Sequence, residues 1–276
     1  MQRHVIRLQG AIWGNGCAAL WGICVMRQSG QIIDLEADLR DYILMCAKSA
    51  APQEMCGLLV ALPLGLEYLP CRNVAENPCE QFEIAPDDWL DAAQHGVIVA
   101  VVHSHPRGEM FLSGADRQAQ VLSGLPWILA VSGCLKIFAP VPHLRSRAFV
   151  YDAADCYRLV QDAYHLAGID LLDVPRVDID RDVGRFDELV ERAGFERVPM
   201  PQAGDIVLTS HRGDGKSDHI ALYLGDGQIL HHAAGQLSRR EPFGAWWQRH
   251  TTGFWRHRQW QPEMMAAIDA DLLHSM

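Results

Sequence analysis

A chain of 276 residues exceeds the usual span of one domain and points to two modules, each long enough to bury a core of its own. Hydrophobic residues make up 49% and charged residues 21%, the ordinary composition of a soluble globular protein, which argues against both disorder and a solenoid. A formal net charge of -10 argues against a nucleic-acid or anionic-membrane partner, since both select basic surfaces, and favours a neutral or cationic one.

The N-terminal stretch MQRHVIRLQGAIWGNGCAALWGICVM sets Arg3 and Arg7 ahead of an apolar run, a faint imitation of a signal peptide that Asn15 and several glycines weaken. The preferred reading is an N-terminal extension over 1–26, with translation starting at Met26. Elsewhere no uninterrupted apolar run of about 20 residues occurs, so no stable membrane insertion is expected. From Ile33 to Ala47, Leu35, Leu39, Ile43 and Cys46 recur at near-helical spacing, and Ala51-Pro52 ends the helix, with Glu54 just beyond. CGLLVALPL reads as a buried strand, the residues from Gly65 to Leu69 begin its hairpin partner, and GVIVAVVHSH is another apolar strand. A helix from Ala115 and a strand from Trp127 to Val131 complete a first α+β or α/β module over 27–140.

Around Pro140 the apolar pattern lapses, which places a linker at 141–150. A second domain, 151–260, opens with the helix DCYRLVQDAYHLAG, crosses a polar segment rich in Asp and Arg, and continues with strands at GDIVLTS, DHIALYLG and QILHHAA, the last two joined by an Asp226-Gly227 turn. A terminal helix is expected over 261–276. Trp246, Trp247 and Trp255 are either core aromatics or part of a partner surface. Eight cysteines without a CxxC pair fit reduced thiols better than a zinc ribbon or a disulfide scaffold.

One stretch, HSHPRGEMFLSGAD at 103–116, admits two readings. On a strand, His103 and His105 share a face while Ser104 points away, so two imidazoles can serve one ion. Asp116 at the start of the next helix would add a carboxylate and leave a fourth tetrahedral position for water, as catalytic zinc requires. Glu54 would then take a proton from the water and Ser113 would hydrogen-bond the oxyanion. Yet Ser113 to Asp116 is equally the S-x-x-D of a helix capping box.

In the second domain, Cys156 follows Asp155 at a helix N-terminus, where unpaired N–H groups and the positive end of the dipole stabilise a thiolate. His219 starts one strand and the hairpin returns His231 and His232 beside it; these neighbours lie on opposite faces, so only one should point towards Cys156. Taken alone, Cys156 also fits a buried small hydrophobe.

Glu54, then His-Ser-His-Pro, six residues and Ser-x-x-Asp, flanked by EMCGLLV and NVAENP, resemble the signature of JAMM (MPN+) zinc metallopeptidases over about residues 30 to 140. That resemblance implies Zn2+ on His103, His105 and Asp116, Glu54 as general base and Ser113 as a transition-state donor, with hydrolysis of a peptide or isopeptide bond. DCYRLVQDAY, PQAGDIVL and DHIALYLGDGQILHH resemble the NlpC/P60 cysteine peptidases over about residues 150 to 258. Members of that family are papain-like in fold and usually cleave peptide stems of bacterial cell wall, which implies Cys156 as nucleophile, His219 as base, His231 as the orienting residue and peptidoglycan stem peptide as substrate. Tyr157 stands where many members have Ser.

The two modules in this order, with LPW at 125–127, VPHL at 141–144 and WRHR at 255–258, are similar to the tail tip assembly proteins of lambda-like bacteriophages. The likeness implies other phage tail tip proteins as partners, and action in the bacterial host cytoplasm during assembly, then from a virion tail tip in the periplasm. The expected fold is α+β: an α/β JAMM-type zinc peptidase domain followed by a papain-like NlpC/P60 domain. Two further readings stay open: a non-enzymatic assembly factor, and a processing protease for a phage tail protein.

Overall fold

The computed structural model describes residues 33–174 and 186–274. The expected N-terminal extension and most of the polar Asp/Arg segment lie outside the described residues. Contact density divides the chain into two compact units, one reaching to Met110 and resuming over Gln120–Pro140, the other comprising Phe111–Ala119 and Val141 onward.

The first helix, α1 (Ala37–Ala50), starts later than the periodicity indicates: Glu36 is extended and Leu35 lies ahead of the helix, though still buried. Strands β1 (Cys56–Leu62) and β2 (Gly65–Cys71) form the expected antiparallel hairpin, Leu62 facing Gly65 across the turn. Gly57 is required there, because a Cβ would stand 2.5 Å from the Tyr68 ring and the Leu69 carbonyl. A helix α2 (Pro86–His95) follows, which hydrophobic runs alone do not reveal. Its signals are terminal ones: Pro86 at the first position, Asp87 and Asp88 against the positive dipole end, Gly96 after the last turn.

Next come β3 (Val97–Ser104), α3 (Gly114–Ser123), β4 (Trp127–Val131) and β5 (Cys134–Phe138), the last an antiparallel return through Ser132-Gly133, both at positive φ. The sheet runs β2-β1-β3-β4-β5, and only β3 and β4 are parallel, which is why a helical crossover joins them. Leu39 and Ile43 of α1 pack with Leu59, Val102 and Ile128 in the unit's core.

In the second unit, α4 (Cys156–Leu166) packs on a six-stranded antiparallel sheet of order β10-β9-β8-β7-β11-β6. These strands are β6 (Phe195–Val198), β7 (Ile206–Thr209), β8 (His219–Gly225), β9 (Gln228–His231), β10 (Arg239–Pro242) and β11 (Thr251–His257). Strands β7, β8 and β9 coincide with the apolar runs in the sequence. Their alternation is that of a sheet covered on both faces: Ile206, Leu208, Ile220 and Leu222 join the α4 core, while Val207, Ala221 and Ile229 meet Trp247. Short helices α5 (Phe186–Arg192) and α6 (Ala245–His250) and a 3-10 turn at Pro262–Met264 complete the unit with α7 (Met265–His274).

Helix α7 is a core element. It buries Ile268 and Leu272, and its fully buried Asp271 pairs with Arg117 at 2.8 Å and accepts the Leu144 N–H at 2.8 Å. Of the three tryptophans, Trp247 and Trp255 are buried and Trp246 is exposed.

Candidate active sites

In HSHPRGEMFLSGAD a helix capping box and a His-His-Asp grouping share the same residues. Ser113 and Asp116 form the reciprocal capping box at α3: the Asp116 N–H donates to Ser113 Oγ at 3.1 Å and the Ser113 N–H to Asp116 Oδ2 at 2.8 Å. Asp116 also joins His103 and His105 in a buried group whose ligand atoms all lie within 4.8 Å of one another. A carboxylate has lone pairs enough for a backbone N–H and a cation at once.

Local chemistry aims the two imidazoles. Ser104 turns to the other side of β3, where its hydroxyl accepts the Met55 N–H at 2.8 Å, leaving the flanking histidines on a common face. His105 Nδ1 lies 2.9 Å from the Glu109 carbonyl, so this nitrogen carries the proton and Nε2 keeps its lone pair. His103 Nε2 is 3.2 Å from that Nε2. Phe82 stacks on the His103 ring at 4.8 Å and Trp127 meets it edge-on at 5.3 Å, which restricts its rotation. Two convergent imidazoles and a carboxylate make a donor set that fits a zinc-like divalent ion.

Glu54 is buried just before β1. Its carbonyl accepts from Asn73 Nδ2 at 3.0 Å and its N–H donates to the Pro78 carbonyl at 2.7 Å. The NVAENP segment therefore holds the backbone at Glu54.

In the second unit, Cys156 is the first residue of α4 and is buried. Asp155 caps the helix, accepting the Arg158 N–H on Oδ1 and the Asp152 N–H on Oδ2, each at 2.9 Å. In the β8–β9 register Ala221 faces His231, so His219 and His231 share one sheet face, their ring centroids 5.5 Å apart and nearly perpendicular. His232 points the other way, edge-on to Phe149 at 5.2 Å. Cys156, His219, His231 and His232 all line one pocket of about 540 Å³, with Trp246 and Trp247 on its wall. Tyr157 is fully buried and donates to the Leu172 carbonyl at 2.7 Å, a role that Ser could not reach to fill.

Burial holds His219 well below the usual imidazole range, and the charges of His211, His231 and His232 push the same way. Burial also lowers His231, although Glu241 partly opposes it. Both rings are thus neutral near pH 7, the state a proton acceptor needs. Glu241, which sequence reasoning did not single out, has Oε2 3.4 Å from His231 Nε2. Its carboxylate also accepts from Trp247 Nε1 at 2.6 Å and from Arg239 Nε at 2.7 Å. A polar residue two positions beyond Arg239 on a short edge strand carries no distinctive sequence signal.

Burial pushes Cys56 up to about 12 and Cys71 up to about 11, and the six described cysteines are unbridged. No helix among the described residues is long and apolar enough to cross a membrane.

Residues 36–148 match the family of prokaryotic homologs of the JAB domain, and residues 146–256 match the NlpC/P60 family. The molecule is thus a JAB-like domain followed by an NlpC/P60 domain. Over 194 residues it is 44% identical to the tail tip assembly protein K of Escherichia phage lambda, covering 69% of this chain and 97% of that protein. It is 31% identical over 228 residues to the tail tip assembly protein K of Escherichia phage N15, covering 79% and 93%. The chain belongs to the family of tail tip assembly protein K. Among solved structures, an NlpC/P60 family protein from Bacillus cereus aligns at 15% identity and a TM-score of 0.32, covering 76% of this chain and 65% of that one.

Proposed function

We propose that the NlpC/P60 domain is a cysteine peptidase acting on peptidoglycan stem peptides, and that the JAB-like domain is a metal-assisted peptidase acting on a peptide or isopeptide bond. The observation that carries the first part is the pocket that Cys156, at a capped helix N-terminus, lines together with two buried neutral histidines. His219 takes the Cys156 proton, and the thiolate attacks the amide carbon. The amine leaves with that proton as a thioester forms, and water then releases the acid and restores the thiol. His231 orients the His219 ring.

In the JAB-like domain, His103, His105 and Asp116 would hold the ion, for which Zn2+ is the best match to the donor set. A bound zinc ion supplies Lewis acidity and lowers the pKa of water to about 7. Glu54 then serves as the proton acceptor, and Ser113 as a hydrogen-bond donor to the developing oxyanion. Other phage tail tip proteins are the proposed partners, in the host cytoplasm during assembly, with wall cleavage from the tail tip in the periplasm.

The test uses one purified preparation of the full chain, with Cys156→Ala and His103→Ala/His105→Ala variants. About one zinc per chain, lost only in the histidine variant, together with release of stem-peptide fragments lost only with Cys156, is the expected result. No metal and no fragments would leave the alternative suggested by the names of its relatives, an assembly factor without catalysis. Full assembly of tails by Cys156→Ala, with loss of wall cleavage, would assign Cys156 to the enzyme alone. A precursor of a tail protein persisting with Glu54→Gln would make the JAB-like domain a processing protease.

A further inference from the structure

We propose that Glu241 is a positioning residue for the cysteine-histidine machinery, holding His231 and, through it, His219. The inference rests on the cysteine-peptidase reading and adds a fourth member behind its three residues.

The geometry begins with strand register. Arg239 of β10 faces His231 of β9, so Glu241, two residues on, shares its face and lies diagonal to His231. The carboxylate is pinned from two sides, by Trp247 Nε1 on Oε1 and by Arg239 Nε on Oε2. Burial alone would raise the Glu241 pKa, but these two hydrogen bonds and the nearby charges lower it, so the group is an anion at working pH. Oε2 then presents its remaining lone pair at 3.4 Å from His231 Nε2. Trp247 closes the arrangement, with its ring 4.8 Å from His231 and 5.7 Å from His219.

A fixed anion beside this pair has a chemical consequence. Transfer of the Cys156 proton creates an imidazolium, and a nearby carboxylate favours that charge. With the anion removed, thiolate and imidazolium form less readily and the thiol titrates at higher pH. A merely structural Glu241, tying β10 to α6, would leave that titration unmoved.

The experiment measures alkylation of Cys156 by iodoacetamide in the full chain, followed on its own peptide by mass spectrometry from pH 5 to 10. The thiols of buried Cys56 and half-buried Cys71, both with raised pKa values, give a slow internal reference. Wild type is expected to react through a thiolate formed below about pH 8.5, the ordinary thiol value. Glu241→Gln is expected to slow alkylation at pH 7 by about tenfold, one unit of thiol pKa, and to converge with wild type near pH 10. On a stem peptide its kcat falls while KM holds.

A Glu241→Gln profile that overlays wild type overturns the proposal while the peptidase reading stands. A wild-type thiol that titrates like a free cysteine, with no peptide cleaved, overturns the peptidase reading and this inference with it. Should Glu241→Gln fail to fold, Glu241→Asp decides. It keeps the charge but draws it back by one methylene, so a profile displaced to higher pH supports the positioning role and one matching wild type overturns it.

Discussion

Asp155→Ala tests whether helix α4, which begins at Cys156, is positioned by its cap. Asp155 is almost wholly buried, and each carboxylate oxygen accepts one backbone N–H, from Arg158 within the helix and from Asp152 in the turn before it. Loss of a cap of this kind costs about 1 kcal/mol. Removing the acceptor of a second N–H costs about 1–3 kcal/mol more. The sum, about 2–4 kcal/mol, corresponds to a fall of roughly 5–15 °C in the unfolding midpoint of a unit this size. Because Cys156 is the first residue of α4, fraying of that turn also removes N–H groups that stabilise its thiolate. The assay is hydrogen exchange of the peptide spanning α4, read beside thermal unfolding and Cys156 alkylation. Exchange should accelerate most in the first turn, with slower alkylation at pH 7, and Asp155→Asn should fall between, since its amide keeps a single acceptor oxygen. If Asp155→Ala unfolds within about 1 °C of wild type and α4 exchanges unchanged, the cap is not what holds Cys156.

Two further outcomes follow from the second unit. Gly204→Ala places a Cβ 1.9 Å from the Trp260 ring at a backbone φ of +94, where L side chains are strained. Moving that ring also threatens its hydrogen bond to the Ala203 carbonyl and the Tyr164 bond to Gly204, so a loss of about 3–5 kcal/mol is expected, measured by urea unfolding. Near-wild-type stability would mean that Trp260 has room to move. Acidification should also destabilise this unit, because burial lowers His219, His231, His232 and His257 in the folded state. Below about pH 6.5 the unfolded chain binds protons first, so stability is lost as pH falls from the unfolded value towards the depressed folded ones. Each such histidine contributes a slope of at most about 1.4 kcal/mol per pH unit. Urea midpoints at pH 7.5, 6.5 and 5.5 should fall in wild type and fall less in His219→Gln; a midpoint rising on acidification would contradict the burial.

Much of both candidate sites was legible in one dimension because their residues are adjacent or sit on regular elements. Two histidines two apart on a strand must share a face, Ser-x-x-Asp at a helix start must meet across one turn, and a cysteine after a capping Asp must stand at a helix N-terminus. The apolar runs of β1, β3, β7, β8 and β9 were equally plain. Less visible were α2, whose signals are terminal rather than periodic, and the edge strand β10, whose sequence RREP has no apolar rhythm. The choice between His231 and His232 turned on register: the pairing of Ala221 with His231 puts His231 with His219, and a one-residue slip would have exchanged them. Residues distant in the chain left no local mark at all. The Arg117–Asp271 pair spans 154 residues, and the carboxylate of Glu241 meets His231 only because β10 folds back along β9. Sequence alone singled out the candidate groups, since covalent neighbours and strand or helix period place them; tertiary structure decided which of them are buried and which line one pocket, because those properties belong to the packed surroundings.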